Sequence, residues 1–168
     1  MESQDDPGRQ LEGELDLREQ VQLWLMGEGW KLTETETPDA QWLVQAEDEA
    51  GRKLLIGQSR FPPDQLRIIG LIVVSDEHRE QYGALSQEER DLLMWNLRFL
   101  LLMMNVEFSG IGEPLQTIEV SQRAYLDGLS KDSLMQRVSQ TKNALIAVLW
   151  SFARSLSGDG MAGGEFVN

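Results

Sequence analysis

The chain has 168 residues, of which 41% are apolar and 15 are glycine, a composition that supports one domain with a real core and excludes a disordered chain. Its 15 Lys and Arg against 28 Asp and Glu give a formal net charge of −13, which repels phosphate backbones and anionic bilayers and argues against nucleic-acid or membrane partners. The absence of cysteine excludes disulfides, thiolate nucleophiles and Cys-ligated metals.

Residues 1–14 read as a mobile acidic segment with Pro7, Gly8 and few apolar anchors. The start lacks the basic and then apolar pattern of a secretory signal, so a cytoplasmic protein is expected. One α+β domain is predicted over residues 15–156, followed by a mobile Gly-rich tail over 157–168. Leu17, Val21, Trp24 and Leu25 share one helical face. Asp16 can cap that helix, with Glu19 three residues on, and Gly27 and Gly29 supply a stop. Alternating β-type runs follow over 30–37, 41–47 and 53–60, separated by Pro38-Asp39 and by Asp48-Glu49-Ala50-Gly51. After Pro62-Pro63-Asp64, Leu66 to Val74 is an almost continuous apolar run, expected to be a central strand buried on both faces.

Ser86 and Glu89 form a capping box opening a helix through Asn105, whose apolar residues surround it from Leu97 onward and require cover on both sides. Leu115 to Ser121 reads as one further strand, and a last helix runs from about Lys131 to Leu156. Its apolar positions Leu134, Val138, Thr141, Leu145, Val148 and Phe152 step by four and three, the spacing of a packing seam. The predicted architecture is an antiparallel meander packed by three helices, in the order α-β-β-β-β-α-β-α. The apolar stretch from Leu97 to Met104 is far too short to cross a bilayer.

Catalytic signals are sparse. His78 is the only histidine and stands in Asp76-Glu77-His78-Arg79-Glu80 with no Ser or Cys nucleophile evident beside it, so a solvated loop or helix-entry histidine is expected. The acidic runs Glu47-Asp48-Glu49 and Glu88-Glu89 lack the spacing of a calcium loop and read as turn and helix-start carboxylates. No phosphate loop, His-Glu-x-x-His or Gly-x-Ser-x-Gly pattern occurs. Trp24, Trp30, Trp42, Trp95 and Trp150 fall where the pattern expects core or half-buried faces. No catalysis, cofactor or metal is expected.

The order of elements, the size and the acidity are similar to the type III secretion chaperone-like fold. Trp24-Leu25 through Glu28-Gly29-Trp30, and Tyr125-Leu126-Asp127-Gly128-Leu129-Ser130-Lys131-Asp132, resemble a family of uncharacterised prokaryotic proteins with that fold, the Tir chaperone and YbjN-like group, over roughly residues 15–156. Both segments also have local structural roles: Gly29 ends a helix, Asp127-Gly128 makes a turn and Ser130 caps the last helix. The class I secretion chaperones resembled here are small acidic cytosolic homodimers with three strands before the middle helix and two after it, where the pattern here gives four and one. The resemblance implies a homodimer that holds another polypeptide on its sheet or helix surface, and it carries over no catalytic residue.

The expected function is therefore a non-catalytic, chaperone-like protein-binding module acting as a homodimer on a polypeptide client, by sheet-edge pairing or an apolar groove, with the acidic surface favouring a basic client. The alternative is a small-ligand-sensing regulatory domain with an apolar pocket between sheet and helices. Leu101 and Leu102 on the middle helix and Leu145 and Leu149 on the last are the candidate dimer or partner contacts. Their faces either meet a partner or fill the gap between helix and sheet.

Overall fold

The computed structural model describes residues 15–156; the two predicted terminal segments, 1–14 and 157–168, lie outside the described residues. Asp16 caps α1 (Leu17–Gly27), its carboxylate accepting the Glu19 backbone N–H at 2.9 Å. The helix ends in a Schellman turn. Gly29, at φ 86°, occupies the left-handed position, and the Gly29 and Trp30 N–H groups donate to the carbonyls of Met26 and Leu25. The following segments alternate in burial and form β1 (Lys31–Thr35), β2 (Ala40–Glu47), β3 (Lys53–Ser59) and β4 (Gln65–Val73).

Two short elements missing from the sequence reading complete the fold. Ser75 caps α2 (Asp76–Ala84), so His78 lies in the first turn of a helix, the helix-entry alternative of its expected position. After α3 (Gln87–Met103) the chain turns through Asn105, at φ 54°, into β5 (Glu107–Ser109), which pairs with β6 (Thr117–Tyr125). The expected strand over 115–121 is β6, displaced toward Tyr125, and β5 precedes it where no strand was expected, so the count after the meander is two rather than one. A single 3₁₀ turn over Leu126–Gly128 leads into α4 (Lys131–Leu156). The capping box of α3 is present, with the Ser86 backbone N–H on the Glu89 carboxylate at 2.8 Å. At the start of α4 the Ser133 N–H donates to Ser130 Oγ at 3.1 Å.

The six strands form one antiparallel sheet in the order β1-β2-β3-β4-β6-β5. α4 lies over β4 and β6, α1 packs on β1 and α4, and α3 packs on α4 and β5. The predicted seam is realised in full, since all six residues from Leu134 to Phe152 are buried, against Leu54, Ile56, Leu66, Ile68, Ile118 and Val120 of the sheet. The register sends Leu32, Ala46, Leu54, Ile68 and Val120 to the helical side, and the alternate positions to the other.

Here the structure corrects an expectation. β4 is central, between β3 and β6, but it is buried on one face only: Leu66, Ile68 and Ile72 are core, while Leu71 and Val73 on the alternate face are exposed. All four helices sit on one side, so the continuous apolar run reflects two differently used faces.

Helix and sheet approach closely at Gly70 of β4, where an added Cβ would lie 2.6 Å from Leu145 Cγ. Gly70→Ala is expected to destabilise by about 1–3 kcal/mol through overpacking, and Leu145→Ala in the same chain should restore part of that loss. Denaturant titration of both single variants and the double variant measures the coupling; strict additivity would place Leu145 elsewhere.

The β2–β3 turn is organised by Asp48, whose carboxylate accepts the backbone N–H groups of Ala50 and Arg52 at 3.0 and 2.9 Å and Arg52 Nε at 2.8 Å. Burial pushes the Asp48 pKa up, but these donors and the Arg52 charge outweigh it and hold the group below the ordinary aspartate value. A carboxylate with a depressed folded-state pKa adds stability above its unfolded pKa and loses it as pH falls through the folded value. Asp48→Ala should therefore cost about 1–3 kcal/mol at pH 7. The gap from the parent should shrink below about pH 4, as measured by thermal unfolding across pH.

Candidate functional site

The four candidate contacts separate into two kinds. Leu101 and Leu145 are buried within the chain itself and belong to the core, so neither is available to a partner in the folded protein. Leu102 is 64% exposed, and Leu149 is half-buried beside the exposed Trp150 on the outer side of α4.

Leu102 belongs to a stripe. On α3 the positions Leu93, Met94, Leu97 and Leu101 face inward and are buried. Leu92, Trp95, Phe99 and Leu102, stepping by three, four and three, face outward at 58–64% exposure, and Met103 extends the row. The Trp95 and Phe99 rings are 5.9 Å apart between centroids and tilted by 37°. α3 is thus apolar on two faces and covered on one. Trp95 and Trp150, expected in or near the core, are both exposed; Trp30 is buried, and Trp24 and Trp42 pack partly buried against the core.

The helix-free face of the sheet is the second uncovered surface. The register aligns Thr33, Gln45, Leu55, Ile69, Ser121 and Glu107 in one row across the strands, and Thr35, Leu43, Gly57, Arg67 and Arg123 in the next. Leu43 lies so close over Gly57 that an added Cβ there would meet the Trp42 carbonyl oxygen at 2.3 Å and the Leu43 side chain at 2.8 Å. The surface is a groove of about 880 Å³, walled at one end by the β1–β2 turn and by Arg60, Phe61 and Pro62 of the β3–β4 loop. The space between sheet and helices, where the alternative function requires a pocket, is instead occupied by the α4 seam and its sheet partners.

Arg67 Nη2 donates to Glu119 at 3.0 Å and to Ser121 Oγ at 3.4 Å, and Arg123 donates to Glu107 at 2.9 Å. Glu107 and the Tyr125 hydroxyl raise the Arg123 pKa further above the ordinary arginine range.

The candidate chemistry resolves into local structure. Ser75 Oγ lies 2.6 Å from His78 Nδ1, a neighbour the sequence reading did not pair with the histidine. The same hydroxyl accepts the His78 backbone N–H at 3.3 Å, so the contact is the N-cap of α2, on an exposed serine. Tyr82 is buried, its hydroxyl 3.4 Å from Glu113 with Arg90 over its ring. Burial and then the Glu113 carboxylate push its pKa up, keeping it neutral. Among the described residues no group of three His, Cys, Asp or Glu is placed to hold a metal ion, and no helix is long and apolar enough to cross a membrane.

These surfaces belong to a recognisable class. Four helices on one side of a six-stranded antiparallel sheet give an α+β fold of the type III secretion chaperone-like kind, shared with the ExsC–ExsE complex at TM-score 0.51 and 9% identity over 80% of this chain and 96% of that one. The chain belongs to the family described as uncharacterized conserved protein DUF2299, whose model matches residues 17–152. A solved uncharacterized protein from Methanothermobacter thermautotrophicus is similar at TM-score 0.77 and 28% identity, over 83% of this chain and 99% of that one. YbjN from E. coli aligns at TM-score 0.48 and 12% identity, over 80% of this chain and 89% of that one. No curated protein matches the sequence.

The two classes of candidate leucine are separable by experiment. Leu101→Asp places an unpaired charge in the core and should unfold the chain, whereas Leu102→Asp should leave its circular dichroism spectrum close to that of the parent. Global unfolding of both variants would place Leu102 in the core.

Proposed function

We propose that the protein is a non-catalytic binding module that dimerises through the outer face of α3 and holds a polypeptide client. The observation that carries the reading is the α3 stripe. Its five outward side chains from Leu92 to Met103 expose on the order of 600 Å² of apolar surface. That lies at the upper end of the largest patch on an ordinary monomer and approaches the roughly 800 Å² per partner of a standard interface. A stripe of three and four spacing is self-complementary under a two-fold axis, as a homodimer requires.

Two further features support client binding. β1 is an edge strand paired, among the described residues, only to β2, which leaves its outer backbone groups available to an added strand. A chain of the same fold is found in the ExsC–ExsE complex, so this architecture is compatible with holding a second chain. The reading assigns the protein to the cytoplasm, and its net charge of −13 favours basic clients at long range.

Light scattering after size exclusion tests the dimer. The parent chain is expected at twice the monomer mass, and Trp95→Glu with Phe99→Glu at the monomer mass with an unchanged circular dichroism spectrum. A parent chain that stays monomeric at about 100 μM, well above the micromolar constants of weak specific association, would overturn the α3 interface.

A further inference from the structure

The helix-free groove carries an arrangement that the fold does not require. Arg67 and Arg123 stand directly opposite each other on β4 and β6, and like charges in that relation destabilise a sheet. Each is compensated from one side only, Arg67 by Glu119 and Arg123 by Glu107, and Arg67 Nε is buried without a hydrogen-bond partner. The apolar floor beside them is formed by Leu43, Leu55, Ile69 and Leu71, and Phe61, 86% exposed, overhangs its end.

Charge sets this face apart from the rest of the molecule. The groove is lined by Arg60, Arg67 and Arg123 against Glu36, Asp39 and Glu119. It is thus locally neutral on a chain of net charge −13. Glu36 and Asp39 come from the β1–β2 turn, two strand spacings or about 10 Å from β4, where screening is already strong. An acidic segment is therefore repelled by most of this protein and accommodated at the paired guanidiniums, whose planar forks match carboxylates.

We propose that the groove binds an extended client segment in which the side chains facing the sheet, at every second residue, are large and apolar except for one that is acidic. The apolar residues lie on the Leu43–Leu71 floor under Phe61, and the carboxylate sits between Arg67 and Arg123. This rests on the polypeptide-binding reading and specifies which segment of a client this surface takes. An extended segment fits an open groove spanning four strands, and because its alternate side chains point to one side, apolar and acidic residues two or four positions apart meet the floor and the arginines together. The long-range preference of the acidic surface for basic clients and this local preference are compatible, because a basic protein can present one acidic, apolar stretch.

The test uses the full chain and two fluorescein-labelled twelve-residue peptides that share Leu and Phe at alternate positions with Ser between them, one carrying Glu and the other Lys at one further alternate position. Fluorescence anisotropy is expected to show binding of the Glu peptide, weakening as salt is raised. Arg67→Gln and Arg123→Gln should each lose about tenfold in affinity, as for a charge-assisted hydrogen bond. Phe61→Ser, in an exposed loop where the fold is not at risk, should also weaken binding several-fold, by the loss of one apolar contact. Equal or better binding of the Lys peptide would overturn the assignment of the arginines while leaving a polypeptide-binding groove. Binding of neither peptide, or of dodecanoate alone as a competing small amphipathic anion, would overturn the proposal, and the dimer reading would stand or fall separately on its mass.

Discussion

The structure depends on one contact layer: the packing of α4 onto β4 and β6. Gly70 gives up its side chain so that Leu145 can press against the strand, and the seam from Leu134 to Phe152 is buried along the length of the helix. Once α4 occupies that face, α1 and α3 can bury their own apolar stripes, and α2 its Tyr82, only by packing around it. The helices are thereby committed to one side of the sheet, and the other side is left to whatever chemistry its alternate residues provide. Both uncovered surfaces follow from this arrangement. Among the described residues the sheet face has no helix to cover it, and α3, at the margin of the layer, has neighbours for only one of its two apolar faces.

Much of this was legible in the residues, where a local rule was sufficient. The caps at Asp16, Ser86 and Ser130, the stop at Gly29 and the α4 seam each follow from short-range chemistry, and each is found where that chemistry puts it. The elements missed are those whose definition is tertiary. β5 is three residues long and exists as a strand because β6 pairs with it, and α2 carries Tyr82 as its one buried residue, so its sequence shows no apolar face. Periodicity reports that a face is apolar and is silent on what meets it. That is why Leu101 and Leu102, adjacent and chemically identical, could not be divided into core and surface, and why Trp95 and Trp150 were expected inside.

β4 shows the same limit in its sharpest form. The run Leu66 to Val74 suggests a strand sealed on both sides, and the interruption at Arg67 is the single sign that one face is used differently. Together with the register, that arginine becomes informative. Arg67 meets Arg123 across the strands, a pairing separated by 56 positions in the chain and invisible until β4 and β6 are aligned. The signal for the groove was therefore present in the sequence as an isolated charge in an apolar strand. Its partner was supplied by topology.

The two surfaces face different directions, and this bears on how they would work together. The α3 stripe lies at the outer side of the helical layer, near β5, whereas the groove opens on the opposite face of the sheet and is walled at the β1–β2 and β3–β4 ends. A dimer closed through α3 would consequently leave both grooves open, one on each protomer. A client bearing two suitable segments would bind the second at the effective concentration set by the chain between them, reaching an avidity that neither groove provides alone. Weak, shallow individual grooves would then be sufficient, and an open surface with moderate affinity at each site releases its client in steps rather than all at once. The proposed division of labour follows from the one-sided packing of the helices: the layer that builds the core would supply the dimer face, and the sheet it leaves bare would supply the grip.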